Sequence, residues 1–289
     1  MLLASLFIPA LTLVGVVWLW RGIRSMRRGH PPIADKLLRS PGESLRREIE
    51  KMDEQVNDIF VWTFFGPALV TAFFLAPTPG VKPATGSMKF EIFIIAIIAI
   101  GFALLVWRLI HLINRRRAYR LGFTGERAVG EELNRLMLEG CHVFHDLPVQ
   151  PYGNIDHVIV SRCGIFAVET KTVSKPRLRD GKAGYRVIFD GTCLRFPHRL
   201  DVSSAGQAEH QAKRLSSFLS EAIGERVSAE AILALPGWMV ERKARSNVKI
   251  LNPKEIGKIV LDKSSPTSTE ELRKRVAYQL DQRCRDVEF

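Results

Sequence analysis

Residues 153–171 read Gly-Asn-Ile-Asp-His-Val-Ile-Val-Ser-Arg-Cys-Gly-Ile-Phe-Ala-Val-Glu-Thr-Lys, and this stretch decides the fold of the chain. Two apolar runs rich in β-branched residues, 157–160 and 165–168, flank a turn-forming segment at 161–164. Short apolar runs on either side of turn chemistry are typical of two antiparallel strands. The stretch therefore predicts a β-hairpin with acids near its open end.

The register of this hairpin decides where the acids lie. If Val160 faces Ile165, Asp156 lies directly opposite Glu169. Opposed side chains have Cβ atoms about 5 Å apart, and like charges there are destabilising unless something lies between them. A three-residue loop ending in a left-handed Gly164 would instead put the two acids on opposite faces. Both registers are open from the sequence, and the first predicts a divalent cation between the carboxylates.

Lys171 follows Glu169 by two residues, so the two side chains share one face of the strand. Mg²⁺ prefers hard oxygen ligands and often uses only one or two protein carboxylates. Bound metal can acidify water and neutralise charge on phosphoryl oxygens, while lysine offers a compact cation for the transition state. Two acids and a lysine so arranged favour metal-dependent cleavage of phosphodiesters.

Several short motifs in a fixed order make the chain resemble the nuclease-related domain (NERD) family, a branch of the PD-(D/E)xK nuclease superfamily. The resemblance spans roughly Gly122 to Leu235. Its carriers are Gly122-Phe123-Thr124-Gly125-Glu126, Asp146, Gly153-Asn154-Ile155-Asp156-His157, Gly164-Ile165-Phe166-Ala167-Val168-Glu169-Thr170-Lys171 and Gln207-Ala208-Glu209-His210. The resemblance implies a restriction-endonuclease-like α/β domain with a central mixed sheet flanked by helices.

The resemblance also implies roles for individual residues. Asp156 and Glu169 correspond to metal ligands for Mg²⁺ or Mn²⁺, and Lys171 to the catalytic lysine. Glu126 corresponds to an accessory acid on a helix, and Gln207 to a helix-borne polar residue facing the site. The non-catalytic alternative for Glu126 is that it stabilises the first turn of a helix capped by Thr124. For His157, a structural role is the stronger interpretation.

The first third of the chain predicts a membrane region, residues 1–117. Three apolar stretches, about 2–20, 59–76 and 90–110, are each near the roughly 20 residues that span a hydrocarbon core. Gly66-Pro67 interrupts the second stretch, so a re-entrant hairpin is its alternative. Residues 41–58 carry apolar side chains on a helical stripe, which predicts a cytoplasmic amphipathic helix.

Basic residues predict the orientation in the cell membrane. They crowd residues 21–58 and 115–120, whereas residues 77–89 hold only Lys82 and Lys89. The positive-inside rule then places the N-terminus outside and everything after the third stretch in the cytoplasm. We thus expect a multi-pass protein whose partners are the lipid bilayer and nucleic acid, DNA or RNA being unresolved.

The remaining sequence divides into a nuclease-like domain, residues 118–240, and a C-terminal extension with helices, 241–289. The net charge is +12, and one basic cluster follows the hairpin. Its members predicted to contact nucleic acid are Lys175, Arg177, Arg179 and Lys182. A solvated face is the alternative interpretation of this cluster. The four cysteines, with no Cys-x-x-Cys pair, predict reduced thiols.

Two functions follow from these observations. The first is a membrane-tethered, metal-dependent nuclease-like protein that hydrolyses nucleic acid on the cytoplasmic side. The second is a catalytically silent, membrane-anchored module that keeps the nuclease fold and binds nucleic acid or protein. The intact acids and lysine favour the enzyme.

Overall fold

The computed structural model describes residues 36–75, 88–149, 153–176, 184–262 and 267–287. The chain forms two compact units. The first, which we call the helical unit, comprises Met1–Ala34 and Ile49–Arg117. The second, the α/β unit, comprises Asp35–Glu48 and Ala118–Phe289, so a short segment from the predicted membrane region belongs to it.

The described part of the helical unit consists of two long helices that also extend into the other unit. They are α1 (Glu43–Leu75) and α2 (Met88–Asn134). One segment of the described chain, Ile95–Glu139, is long and apolar enough to cross a membrane. It contains most of the predicted 90–110 span.

The prediction of three spans is therefore not supported by the described residues, where only one helix qualifies. The 2–20 stretch lies outside those residues. The helix that holds the 59–76 stretch is described as far as Leu75, and residues 76–87 lie outside the described part of the chain. Its apolar part is shorter than the roughly 20 residues of a full span, and Gly66-Pro67 interrupts it.

Helix α2 passes through Thr124 and Gly125 without a break, so the alternative that places Glu126 in the first turn of a helix capped by Thr124 is wrong. The hydroxyl of Thr124 donates to the carbonyl of Arg120 at 2.9 Å instead of capping a helix N-terminus. A 3₁₀ turn, Arg135–Glu139, follows and ends at the left-handed Gly140. Glycine and threonine suggested a helix start, yet both are tolerated inside a helix whose apolar faces are packed or membrane-compatible.

A five-stranded mixed sheet forms the centre of the α/β unit, as predicted. Its strands are β2 (His142–Pro148), β3 (Asn154–Ser161), β4 (Gly164–Thr170), β8 (Ala229–Ala234) and β10 (Val248–Leu251). The order is β10-β8-β4-β3-β2. Strands β2, β3 and β4 are antiparallel neighbours, whereas β4, β8 and β10 run parallel.

A second, four-stranded sheet has the order β7-β6-β5-β9. It is built from β5 (Arg186–Phe189), β6 (Leu194–Phe196), β7 (Arg199–Asp201) and β9 (Met239–Arg242). A third pairing joins β1 (Leu37–Leu38) to β11 (Arg285–Val287). The remaining helices are α3 (Ser204–Ile223), α4 (Pro253–Val260) and α5 (Glu270–Cys284).

Two apolar layers enclose the central sheet because its strands alternate side chains between faces. On one face, Val158 and Ala167 pack in a cluster with Leu215 of α3 and Leu280 of α5. On the other, Ile159 packs in a cluster with residues of α2 and α4. This makes a helix–sheet–helix arrangement. All four cysteines are free thiols, which confirms that prediction.

Candidate functional site

The hairpin of β3 and β4 has the register that opposes the two acids. Val160 pairs with Ile165 and His157 with Val168, so one step further Asp156 lies opposite Glu169. Gly164 closes the turn at φ 132°, a conformation that other residues rarely adopt. The amide of Thr170 donates to the Asp156 carboxylate at 2.7 Å and fixes that side chain at the strand end. The register prediction is confirmed.

Helix α3 presents two glutamines to Glu169. The Gln207 amide donates to Oε1 of Glu169 at 2.6 Å, and Gln211 donates to Oε2. Residues four apart lie on one helix face, which explains how both reach a single carboxylate. Gln211 also donates to the Asn154 carbonyl at 3.3 Å, which links α3 to the start of β3.

Glu126 reaches the same acidic group from α2. Burial, followed by repulsion from Asp156, Asp146 and Glu169, raises its pKa to about 9. The next-door Gly125 permits this approach, because a Cβ there would lie 1.6 Å from the Thr172 hydroxyl oxygen. The chain just beyond Lys171 thus packs directly on the helix that carries Glu126.

The two hairpin acids are perturbed in the same direction. Burial and the charge of Asp156 raise the pKa of Glu169 to about 9, while Gln211 and Lys171 oppose the rise. Burial raises the pKa of Asp156 to about 7 against the opposing effects of the Thr170 amide and Lys171. Three desolvated carboxyl groups therefore lie where negative charge is disfavoured without a nearby cation.

The residues present fit a hard divalent cation. Within the described ranges, no group of three or more His, Cys, Asp or Glu side chains is arranged to hold a metal. The pair Asp156 and Glu169 still suits Mg²⁺, which commonly takes one or two carboxylates and completes its shell with water and phosphate. A bound cation would also relieve the repulsion that raises the pKa of both acids.

Lys171 lies beside the acids but forms its ion pair with a residue that the sequence analysis did not single out. Its Nζ is 3.5 Å from Oδ2 of Asp201, at the end of β7. Asp201 is buried and accepts hydrogen bonds from the Ser204 amide at 3.0 Å and hydroxyl at 2.9 Å. Burial opposes ionisation, yet these bonds and Lys171 hold the pKa of Asp201 below its ordinary value.

A fourth acid, Asp146, ends the regular part of β2 in a left-handed conformation with φ 52°. Its Oδ2 accepts from the Ser44 amide at 2.8 Å and lies 3.1 Å from the Arg39 guanidinium. Asn154 donates to its Oδ1 at 2.9 Å. These partners satisfy the carboxylate, so Asp146 adds charge to the site without being a free ligand.

Arg39 ties the segment before α1 to both ends of the α/β unit. Its guanidinium pairs with Asp146 and also with Asp286 of β11. Its backbone amide donates to the Cys284 carbonyl at 3.0 Å. Gly42 of the same segment packs on Phe123, and a Cβ there would lie 3.5 Å from a Glu126 carboxylate oxygen. We call residues 36–48 the N-terminal strap.

His157 is fully buried and bonds another histidine, as its structural interpretation predicted. Its Nδ1 lies 2.9 Å from Nδ1 of His145, whose Nε2 lies 2.9 Å from the Asn134 side-chain oxygen. Burial lowers the pKa of His145 to about 4. Burial and the neighbouring His145 lower the pKa of His157 well below its ordinary value. The pair is therefore neutral and links α2 to the sheet.

Of the residues predicted to contact nucleic acid, only Lys175 is described. Its Nζ lies 5.9 Å from the centre of the Trp238 ring, a cation–π contact. Arg177, Arg179 and Lys182 lie outside the described residues.

Sequence reasoning missed four residues that hold the site, namely Arg39, Ser44, Asp201 and Gln211. Gln211 was within reach, because it follows Gln207 by one helical turn. No local pattern in the sequence marked the other three as site residues. Arg39, for example, lies 107 residues from its partner Asp146 in the sequence.

Comparison with known proteins gives one match. Neither the curated proteins nor the solved structures contain a match to the chain. Among protein families, the nuclease-related domain (NERD) is found at residues 121–236, a range that holds Glu126, Asp156, Glu169, Lys171 and Gln207.

Proposed function

We propose that the α/β unit hydrolyses phosphodiester bonds of nucleic acid with the help of Mg²⁺ or Mn²⁺. The observation that carries this proposal is the gathering of Glu126, Asp156 and Glu169 beside the charge of Lys171. Desolvated, mutually repelling acids next to a lysine are typical of sites built for a specific charged ligand. The nuclease-related domain at residues 121–236 supports the same reaction class.

Asp156 and Glu169 are the residues that would hold the metal. When bound, such an ion supplies positive charge to the phosphoryl oxygens and lowers the pKa of a water molecule. Gln207 and Gln211 orient Glu169 through its two oxygens. Lys171 places a positive charge where the negative charge of the transition state develops. Glu126 is the accessory acid of this arrangement.

The test is cleavage by the full chain in detergent micelles, with Mg²⁺ or Mn²⁺, of single-stranded and duplex DNA and RNA. Lys171→Ala should lower the cleavage rate by about a hundredfold or more and leave Mn²⁺ affinity largely intact, because loss of a cation beside the metal offsets the rise in the pKa of the two acids. Lys213→Ala is the matched control, because Lys213 pairs with Glu209 at 2.8 Å on α3. Cleavage by Lys171→Ala at the wild-type rate would reject this role.

The silent binding module remains the second candidate because of one specific observation. Both oxygens of Glu169 accept from α3, and Lys171 pairs with Asp201, so these groups already hold helix and sheet together. In that case Glu169→Gln should destabilise the metal-free protein. In the enzyme, the same change removes a repelling charge above about pH 9, where Glu169 is ionised, and should stabilise the metal-free protein there.

We further propose that α2 tethers the protein to the cell membrane. Apolar side chains are exposed along its first half, including Ile95, Phe102 and Trp107. Almost none of the most apolar stretch of this helix is buried. Such an exposed apolar stripe suits lipid better than water.

The basic residues 115–117 and 120, which follow the apolar part of α2, favour a cytoplasmic α/β unit, with the N-terminus outside. Reporter fusions after Pro83 and Phe289 should then read outside and inside. An outside signal at Phe289 would overturn this orientation.

A further inference from the structure

A cavity of about 570 Å³ opens beside the edge strand of the second sheet. Its polar wall comes from the connection between β9 and β10, and its apolar floor includes Phe189, Ile250 and Ile259. Four cationic residues line it: Arg242, Lys243, Arg245 and Lys249. We call it the basic cavity.

Positive charge in this cavity is poorly neutralised. None of its lining residues is an aspartate or glutamate. Arg242 donates to the Ile250 carbonyl at 2.7 Å, and Lys243 lies 3.9 Å from Glu241. Among the described residues, no partner is found for Arg245. Only Lys249 is closely paired, with Glu230 at 2.5 Å.

Several other surface cations of the α/β unit lie against a carboxylate. Distances between charged atoms are 2.8 Å for Lys213–Glu209, 2.8 Å for Lys274–Glu270, 2.7 Å for Arg285–Asp281 and 2.9 Å for Arg195–Asp190. The basic cavity therefore differs from an ordinary solvated face. Clustered, unneutralised cations repel one another and raise the local concentration of anions.

A single row of paired residues connects this cavity with the candidate site. Asp201, the partner of Lys171, pairs with Leu194, which pairs with Phe189. Phe189 in turn pairs with Arg242 and, like it, lines the basic cavity. Neighbouring strands lie about 4.8 Å apart, so three spacings put Arg242 about 14 Å from Asp201 along the row.

We propose that the basic cavity binds a backbone phosphate of the nucleic-acid strand whose reacting phosphate lies at Lys171; this rests on the proposed function. The separation of about 14 Å between Arg242 and Asp201 is several times the roughly 3.4 Å axial step between phosphates of one strand, so the two phosphates are not adjacent. Arginine guanidinium groups match phosphate oxygens in pairs, and lysine adds a point charge. The cavity thus sets a minimum length of substrate.

The test is binding of fluorescent oligonucleotides to the full chain in detergent micelles with EDTA, which prevents cleavage. The variant is Lys243→Ala/Arg245→Ala, and the control is Lys213→Ala/Lys274→Ala, which removes the same charge from paired positions. Affinity is measured between 50 and 200 mM KCl. Loss of the one phosphate contact should reduce the salt slope by roughly 0.7 for a single strand, or about threefold in the affinity change across this range.

Length dependence separates the sources of phosphate. Wild-type protein should bind a ten-nucleotide strand more tightly than a three-nucleotide strand, and the cavity variant should lose this difference. Equal salt slopes in the cavity variant and the control would overturn the proposal. Saturation by inorganic phosphate at millimolar concentration, with no length dependence, would also overturn it by assigning the cavity to the free anion.

The outcome for the cavity is distinguishable from the outcome for the enzyme. A changed salt slope in a protein that cleaves nothing with Mg²⁺ would support the cavity and reject the nuclease. Normal cleavage with an unchanged slope would do the reverse. Failure of wild-type protein to bind any oligonucleotide would reject the cavity outright.

Discussion

Replacement of Arg39 by alanine tests whether the N-terminal strap is part of the α/β unit. The side chains of Arg39 and Asp146 are only 9% and 4% exposed. Removing one partner of a buried ion pair costs about 3–5 kcal/mol, because a charge remains buried without its counterion. Asp146 keeps its bonds to Ser44 and Asn154, so we expect the lower end, about 3 kcal/mol. The more exposed pair with Asp286 adds less than about 1 kcal/mol.

The measurement is native-state hydrogen exchange of the full chain in detergent micelles, which gives the free energy of opening for peptides of β2 and β3. Arg39→Ala should lower it by about 3 kcal/mol. Arg47→Ala is the matched control. Arg47 belongs to the same strap and reaches Asp286 and the buried Glu43. Its own side chain is 38% exposed and Glu43 keeps its bonds to Ser40 and Arg46, so loss of Arg47 should cost less than about 1 kcal/mol.

A second substitution tests the cause. Asp146→Asn in the Arg39→Ala background should recover part of the lost stability, because a neutral amide needs no counterion. The reasoning is refuted if Arg39→Ala behaves like Arg47→Ala. It is also refuted if Asp146→Asn lowers the stability of the Arg39→Ala protein further.

Three more predictions concern the site. Between pH 7 and 9 the melting temperature of the metal-free chain should fall. The pKa of Glu169 is about 9 in the folded state and 4.5 ordinarily, so the folded state holds the proton more tightly and loses stability as the pH rises. A melting temperature that stays constant over this range, measured by calorimetry in EDTA, would contradict this. Gly125→Ala should cost about 1–3 kcal/mol by forcing Thr172 away, whereas Gly206→Ala, with open space around it, should be neutral or stabilising by thermal denaturation. Gln211→Leu removes a bond that lowers the pKa of Glu169, so Mn²⁺ affinity at pH 7.5 should drop in titration calorimetry and recover at higher pH, and an unchanged affinity would refute it.

Local patterns in the sequence were sufficient for much of the fold. The hairpin follows from short-range signals, namely two apolar runs and a tight turn, whereas the structure decided between its two possible registers. Asp156, Glu169 and Lys171 lie at one end of the hairpin for this reason, and Glu126 and Gln207 were identified through the family resemblance. Where two local signals conflicted, as at Thr124 and Gly125, the sequence misplaced the start of a helix.

The sequence by itself thus determined the hairpin and the acids near its open end, because these depend on neighbours in the chain. Only the tertiary structure decided that Arg39 neutralises Asp146 and that Asp201 forms an ion pair with Lys171. It also decided that a row of paired residues connects Asp201 with the basic cavity. Residues that meet across a hundred or more positions leave no periodic trace in the sequence. Their contacts depend on how the strap, the two sheets and α3 pack, and burial then sets the strength of each charge interaction.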